Sequence, residues 1–317
     1  MAGAVETALF GPVAAELDRF EVLIRDSIEA DGHPLAGPMG ELFAAGGKRL
    51  RPALVLLAGQ LGRPSGAHFH AAMAVELVHA ATLVHDDVID RSALRRGQPT
   101  VAAAMGDSPA IVVGDFYFAK AYREAASTGD VAVVGAIAEA VMRICRGELE
   151  QSASRHRYRP SRAAYGARIE AKTAALLAAA AWCGGRLGGL DDARQEALRR
   201  YGLELGLAFQ IADDVLDYTA AEAELGKPVG HDLLEGHATL PLLLSDLAEP
   251  LPEGGPLSLE KVAAVVTEVR AAGGPERALA EARRHATAAR GHLGALPPGA
   301  ARDSLERLAG YVVERRL

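Results

Sequence analysis

The sequence predicts an all-α protein, and three observations carry the prediction. Apolar positions recur at intervals of three and four rather than two, the spacing of one buried helical face. Alanine, leucine, glutamate and arginine, all good helix formers, dominate the composition. No stretch alternates apolar and polar residues for long enough to build a sheet.

Helices are expected over roughly 12–31, 38–60, 67–91, 108–127, 130–152, 161–186, 191–219, 232–247, 257–273, 276–293 and 299–315. Breakers mark the joints at Asp31-Gly32-His33-Pro34, Arg63-Pro64-Ser65-Gly66, Thr128-Gly129-Asp130 and Arg159-Pro160-Ser161. Ser65 and Ser161 are N-cap candidates, and Asp191-Asp192 favours a helix start through the dipole. The loop from Glu249 to Pro256 is the best boundary candidate. The helices after it are too few for a core of their own, so one domain, 1–317, is expected.

With 317 residues, half of them hydrophobic, the chain can bury a large core. A formal charge of -7 argues against nucleic acid as a partner. Cys145 and Cys183 are too few for a disulfide framework, so a reducing, cytoplasmic location is expected. Met1 to Phe10 lacks a basic segment before a long apolar run, which argues against secretion. The most apolar stretches, such as Ala171 to Cys183, fall short of a membrane span, although a greasy substrate can still bring the protein to a membrane surface.

Two aspartate clusters interrupt the apolar pattern, Asp86-Asp87-Val88-Ile89-Asp90 and Asp213-Asp214-Val215-Leu216-Asp217. In each, the first and fifth carboxylates stack on one helical face about 6 Å apart. Like charges so placed repel, and burying them without a partner is costly. Twice in one chain, the pattern implies a polyvalent cation clamp for a ligand that carries phosphates.

The first helix should end near Arg91, which sets Arg95 and Arg96 just above the carboxylates. Their guanidinium forks suit a diphosphate bridged by metal below; the alternative is that they neutralise Asp86, Asp87 and Asp90 directly. Upstream, Gly46-Gly47-Lys48-Arg49-Leu50-Arg51-Pro52 combines exposed amides with basic side chains at a helix start, an anion nest or else a solvated basic run. It lacks the spacing of a nucleotide-binding P-loop. His79 can donate to a phosphate, and His85 is equally readable as structural. Without cysteine ligands nearby, magnesium and carboxylates are favoured over zinc.

Beyond the second cluster, Lys227 on the Gly226-Lys227-Pro228 turn can reach a phosphate from the side opposite Arg95, and Asp232 either anchors that turn or caps the next helix. Lys172-Thr173 interrupts an apolar helix, where an ammonium is costly unless it meets an anion. With Gln210, this pair can surround a reacting carbon and its departing diphosphate. No Gly-x-Ser-x-Gly elbow or histidine–acid arrangement supports a covalent nucleophile. The residues suit release of a diphosphate, its growing charge met by magnesium and basic groups with water excluded.

These motifs, in this order from Gly46 to Pro241, resemble the trans-isoprenyl diphosphate synthase (polyprenyl synthetase) family; seven in register are specific where any one is weak. The resemblance implies an isoprenoid-synthase helical bundle with a central cavity between two Asp-rich helices, usually a homodimer. It implies head-to-tail condensation of isopentenyl diphosphate with an allylic diphosphate primer, releasing pyrophosphate. By analogy Asp86, Asp90, Asp213 and Asp217 or Asp214, with Asp87 beside them, hold three Mg2+ ions with the allylic diphosphate. Arg95, Lys172, Gln210 and Lys227 contact that substrate and Thr173 faces the reacting carbon. Gly47, Lys48, Arg51, His79 and Arg96 hold isopentenyl diphosphate. The chain departs from the family where asparagines are usual near Ala104 and Asp107; Asp107 can cap the following helix instead.

Product length should depend on what lies beneath the first cluster. Thr82 and Ala81, four and five positions before Asp86, are not aromatic, and Val78, Ala74 and Ala71 below them are modest or small. Each isoprene unit buried contributes about 3–4 kcal/mol, at roughly 0.8 kcal/mol per methylene. A long-chain all-trans product, C30 or longer, is therefore expected. The alternative is that the small residues serve close helix packing and that Phe116, Tyr117 or Phe118 supplies a floor, which gives geranylgeranyl (C20) diphosphate. A class I terpene cyclase would carry a different second cluster, and a non-enzymatic scaffold has no need of two complete ones.

Overall fold

The computed structural model describes residues 9–44, 47, 49–95, 97–220 and 229–314. Among them every regular element is helical except one antiparallel ladder, in which Leu94 pairs with Pro99 and Arg95 with Gln98. The all-α expectation holds. The chain forms two compact units, each assembled from separated stretches: Met1–Val141, Ala179–Arg199 and Ala295–Leu305 in one, Met142–Ala178, Arg200–Gly294 and Glu306–Leu317 in the other. The loop from Glu249 to Pro256 is not a boundary. Leu251 and Leu257 are buried in the second unit's core, and Glu253 accepts the Tyr158 N–H at 3.1 Å.

In the first unit, α1 (Ala14–Glu29), α2 (Ala36–Ala44) and α3 (Leu50–Gln60) lead into the long α4 (Ala67–Ile89). The helix expected over 38–60 is two helices, because Arg49 takes a left-handed conformation (φ 44°, ψ 33°) that no α-helix continues through. The strands β1 (Leu94–Arg95) and β2 (Gln98–Pro99) follow, then α5 (Val101–Met105) and α6 (Asp107–Ser127). α4 packs chiefly on α6 and α3. It is long and apolar enough to cross a membrane by length and composition, a property the sequence reading sought instead around Ala171–Cys183; yet 67% of the qualifying window is buried inside the protein. Buried His68 fastens α4 from inside, its Nε2 lying 3.1 Å from the Gly184 carbonyl.

α7 (Val131–Ala153), α8 (Arg162–Ile169), α9 (Ala175–Leu187) and α10 (Asp192–Thr219) come next. Ser161 caps α8 as expected, accepting from Ala164 N (3.1 Å). Asp191, expected to favour the start of α10 through the dipole, also caps it, accepting from Arg194 N (2.9 Å). Ser65 does not cap α4: its N–H donates to His68 Nδ1 at 3.0 Å and Gly66 occupies the cap. Asp107 is already the first residue of α6, so it does not cap that helix either.

The second unit completes itself with two short helices, α11 (His231–Leu234) and α12 (Leu240–Leu243), where one helix over 232–247 was expected. Gly236 (φ 88°) and the extended Thr239 separate them. α13 (Leu259–Ala271), α14 (Gly274–His292) and α15 (Ala300–Glu314) follow. Tyr158, Tyr218, Leu233, Leu242, Val265 and Val269 form the core. Within this unit α10 lies close against the backbone of residues 174–178. A Cβ on Gly202 would stand 2.5 Å from the Leu177 carbonyl oxygen and 2.8 Å from the Ala178 Cα. Gly202→Ala should therefore destabilise the protein by about 1–3 kcal/mol, measured as a lower urea midpoint at unchanged slope.

Candidate active site

α4 presents the first cluster along one stripe. Between Ala71 and Val84 every residue is buried except His79, Thr82 and Leu83. With half-buried Asp86 and Asp90 these fall at helical intervals of three and four, so His79 shares a face with the two outer aspartates. The helix ends near Arg91 as expected. Arg91 turns left-handed (φ 53°), its N–H donates to Val88 O, and Ser92 N–H donates to Asp87 O at 2.9 Å, which satisfies carbonyls the helix end leaves open.

Asp87 lies off the stripe and is 3% exposed. Arg95 Nε donates to both its oxygens at 2.9 and 3.0 Å, and Nη2 approaches Oδ1 at 2.8 Å. Burial pushes the Asp87 carboxyl above its usual range, and Arg95 pulls it part of the way back. Of the two readings of Arg95, direct neutralisation is the one displayed, at Asp87. His85 is engaged structurally on α6: Nε2 lies 3.0 Å from Ile111 O, and the ring stacks 5.6 Å from Phe118.

In the upstream motif, Gly47 is exposed and Arg51 half-buried in the first turn of α3. Arg49 faces inward, donating to Glu76 at 2.9 Å. Lys48, Arg96 and Lys227, each expected at a diphosphate, lie outside the described residues.

The second cluster sits near the end of α10, in the second unit, within a hydrogen-bonded chain. Thr173 Oγ1 donates to Gln210 Oε1 (2.7 Å), Gln210 Nε2 to Asp214 Oδ1 (2.9 Å), and the Tyr165 hydroxyl to Asp214 Oδ2 (2.6 Å). Thr173 and Gln210 are thus brought together, as expected. Lys172 and Thr173 stand on a π-helical turn, Glu170–Ala174, between α8 and α9. Such turns widen a helix by one residue and re-aim its side chains. The Lys172 ammonium pairs with Glu148 of α7, an anion that sequence reasoning missed. Tyr165 was missed too; its only signal was a lone phenol two turns before Lys172.

Asp217 is buried, and its carboxylate accepts from the N–H groups of His231 (3.1 Å) and Asp232 (3.2 Å), the start of α11. The capping role allowed for Asp232 thus falls to Asp217. Asp213 is half-buried on the same helix. Close by, burial and then Arg168 push the His237 imidazole down to about 4, so it is neutral at pH 7. Among the described residues no three carboxylate, imidazole or thiolate groups converge on a closed metal cage. A cavity of about 340 Å³ in this unit is lined by Tyr165, Ile169, Leu207, Ile211 and Leu240; it includes none of the aspartates.

Two aspartate clusters at helical spacing, with basic side chains near them and hydrogen bonds holding the second one in place, are what the structure offers as a candidate site. Comparison with known proteins supplies the family. Residues 33–249 match the polyprenyl synthetase family model. The chain is 36% identical to heptaprenyl diphosphate synthase component 2 of Geobacillus stearothermophilus, over 97% of this chain and 98% of that one. The crystal structure of a polyprenyl synthase from Caulobacter crescentus CB15, complexed with calcium and isoprenyl diphosphate, matches with TM-score 0.90 and 36% identity over 98% of both chains. A geranylgeranyl pyrophosphate synthase structure from Lactobacillus brevis ATCC 367 matches with TM-score 0.87 and 30% identity, over 96% of this chain and 98% of that one. The chain belongs to the trans-isoprenyl diphosphate synthase family and has its all-α fold. It is a prenyltransferase that condenses isopentenyl diphosphate with an allylic diphosphate, in a family that uses Mg2+.

Asp214 makes a pH prediction. Burial first, and Asp232 next, push its carboxyl up to about 7, against the hydrogen bonds from Tyr165 and Gln210. An acid whose folded pKa is raised binds its proton more tightly folded than unfolded. Stability of the metal-free protein should therefore fall as pH rises from about 4, the unfolded value, to about 7. Asp214→Asn should flatten that slope by a few kcal/mol, on the order of 1.4 kcal/mol per pKa unit, in urea titrations with EDTA.

Proposed function

We propose that this chain is an all-trans polyprenyl diphosphate synthase with products of C30 or longer, residues 1–317 acting as one catalytic domain. The observation that carries the reading is on α4, where neither Thr82, four residues before Asp86 on the same stripe, nor the buried Ala81, five residues before it, is aromatic. A relative named for heptaprenyl diphosphate supports the length. A second reading, geranylgeranyl diphosphate, is favoured by Phe118 packed beside His85, and by the full burial of Ala71, Ala74 and Val78. Of the other candidate floors, Phe116 is exposed, and the Tyr117 hydroxyl donates to Asp31 at 3.1 Å. Chromatography of products from labelled isopentenyl diphosphate with each allylic primer distinguishes C20 from longer chains.

In this reading Asp86, Asp90, Asp213 and Asp217 or Asp214, with Asp87 beside them, hold three Mg2+ ions with the allylic diphosphate. Arg95 also holds Asp87, Tyr165 and Gln210 hold Asp214, and the start of α11 donates to Asp217. The donor set fits: it is all oxygen, and Mg2+ is bound by one or two carboxylates plus substrate phosphates rather than by a closed protein cage. Bound Mg2+ neutralises charge on the diphosphate oxygens. Arg95, Lys172, Gln210 and Lys227 grip the allylic diphosphate, Lys172 exchanging Glu148 for a phosphate. Gly47, Lys48, Arg51, His79 and Arg96 hold isopentenyl diphosphate. Thr173 Oγ1 commits its proton to Gln210 and so presents lone pairs to the allylic carbon as it becomes cationic. The double bond of isopentenyl diphosphate attacks that carbon, and the released pyrophosphate takes the proton.

A homodimer belongs to the same proposal. Ile111, Val112 and Phe116 are exposed together on α6, an apolar face suited to a second copy. So does a cytoplasmic enzyme, with contact at a membrane surface when the lipid product leaves. Asp86→Ala and Asp213→Ala should each lower condensation at least 100-fold, about 2.7 kcal/mol, with unchanged circular dichroism; retained turnover contradicts the metal assignment. Ala81→Phe should shorten the product by at least one isoprene unit on the same chromatogram.

A further inference from the structure

Arg49 is a charged, bulky residue held in a backbone region that L-residues avoid, at the junction of α2 and α3. Its side chain explains how. Nη1 donates to Glu76 Oε1 at 2.9 Å, Nε to Glu21 Oε1 at 2.5 Å, and Nη2 to Glu21 Oε2 at 3.2 Å and Phe43 O at 3.1 Å. The guanidinium also lies over the Phe43 ring, 5.3 Å from its centre. One side chain thus ties α1, the end of α2 and α4 to the start of α3. Glu76 is the buried end of the tie, 5% exposed, and it stands three residues before His79 on α4. Arg51 follows Arg49 by two residues. The pair therefore joins the segment carrying Arg51 to the helix carrying His79, one turn from His79 itself.

We propose that Glu76 and Arg49 are positioning residues for the isopentenyl diphosphate subsite. Glu76 holds the Arg49 fork, the fork holds the left-handed junction, and the junction sets where Arg51 stands relative to His79. The proposal rests on the assignment of Arg51 and His79 to that diphosphate. A planar fork on two carboxylates is a direction-sensing link, which an ammonium does not reproduce.

The test is steady-state kinetics of the full-length enzyme with Mg2+, varying isopentenyl diphosphate and primer separately. Glu76→Gln should raise KM for isopentenyl diphosphate about tenfold, leave KM for the primer within about twofold, and lower kcat less than it raises KM. Glu21→Gln should act in the same direction and more weakly, since Glu21 is the more exposed partner. If Glu76→Gln does not fold, Arg49→Lys and Glu21→Gln carry the same expectation. An equal rise in both KM values, or a lower melting temperature with both KM values unchanged, overturns the proposal. Arg51→Gln separates the two levels. If it leaves KM for isopentenyl diphosphate unchanged, the subsite assignment falls and the positioning role with it. If it raises that KM while the Glu76, Glu21 and Arg49 variants do not, positioning alone is wrong.

Discussion

Crowded carboxylates set the terms for both motifs. A helix that places three acidic groups within five residues carries repulsion that water would screen and an apolar interior does not. The protein answers by treating members of each cluster differently. Asp87 is turned inward and neutralised by Arg95, Asp214 is held by a phenol and an amide, and Asp217 closes over the start of α11. Three quite different donors, a guanidinium, neutral side chains and backbone N–H groups, perform the same task. Each holds one buried carboxylate, while Asp86, Asp90 and Asp213 are half-buried on the helix faces.

The second unit brings its polar chain into being through small residues and one irregular turn. Gly202 and Gly206 let α10 approach the backbone of residues 174–178. That proximity is what allows Thr173 to reach Gln210, which in turn reaches Asp214. The π turn carries Lys172 and Thr173 between two α-helical segments of otherwise apolar sequence. Gly147 on α7 plays a similar part, since a Cβ there would meet Ala171 and Lys172. Packing and chemistry are thus the same fact, seen from two sides of the helix.

Much of the fold was legible in the sequence because period and punctuation are local signals. The long helices, the cap at Ser161, the helix start at Asp191-Asp192 and the end of α4 near Arg91 all follow from such signals. What sequence reasoning misplaced depends on tertiary partners. The break at Arg49 needs Glu21 and Glu76, which lie 28 and 27 residues away. Ser65 is drawn from capping by the buried His68 ring. The π turn leaves no mark, since its residues are ordinary helix formers. At the site, the neighbourhood of Thr173 and Gln210 was readable, whereas Glu148 and Tyr165 were hidden, because nothing in a linear chain announces which carboxylate an internal ammonium will find. The sequence reading took Ala171–Cys183 as its example of the most apolar stretches, whereas α4, interrupted by its aspartates and histidines, is the helix among the described residues whose length and composition suffice to cross a membrane.

The interleaving of the two units reaches beyond the site. Neither unit is a contiguous stretch, and each draws on residues from the last twenty-five of the chain. On the ribosome, then, neither can close its full set of contacts until the residues from 295 onward have emerged, and the nascent polypeptide must keep much of its apolar surface from aggregating in the meantime. The same arrangement means that no single cut liberates one half as an autonomous fragment.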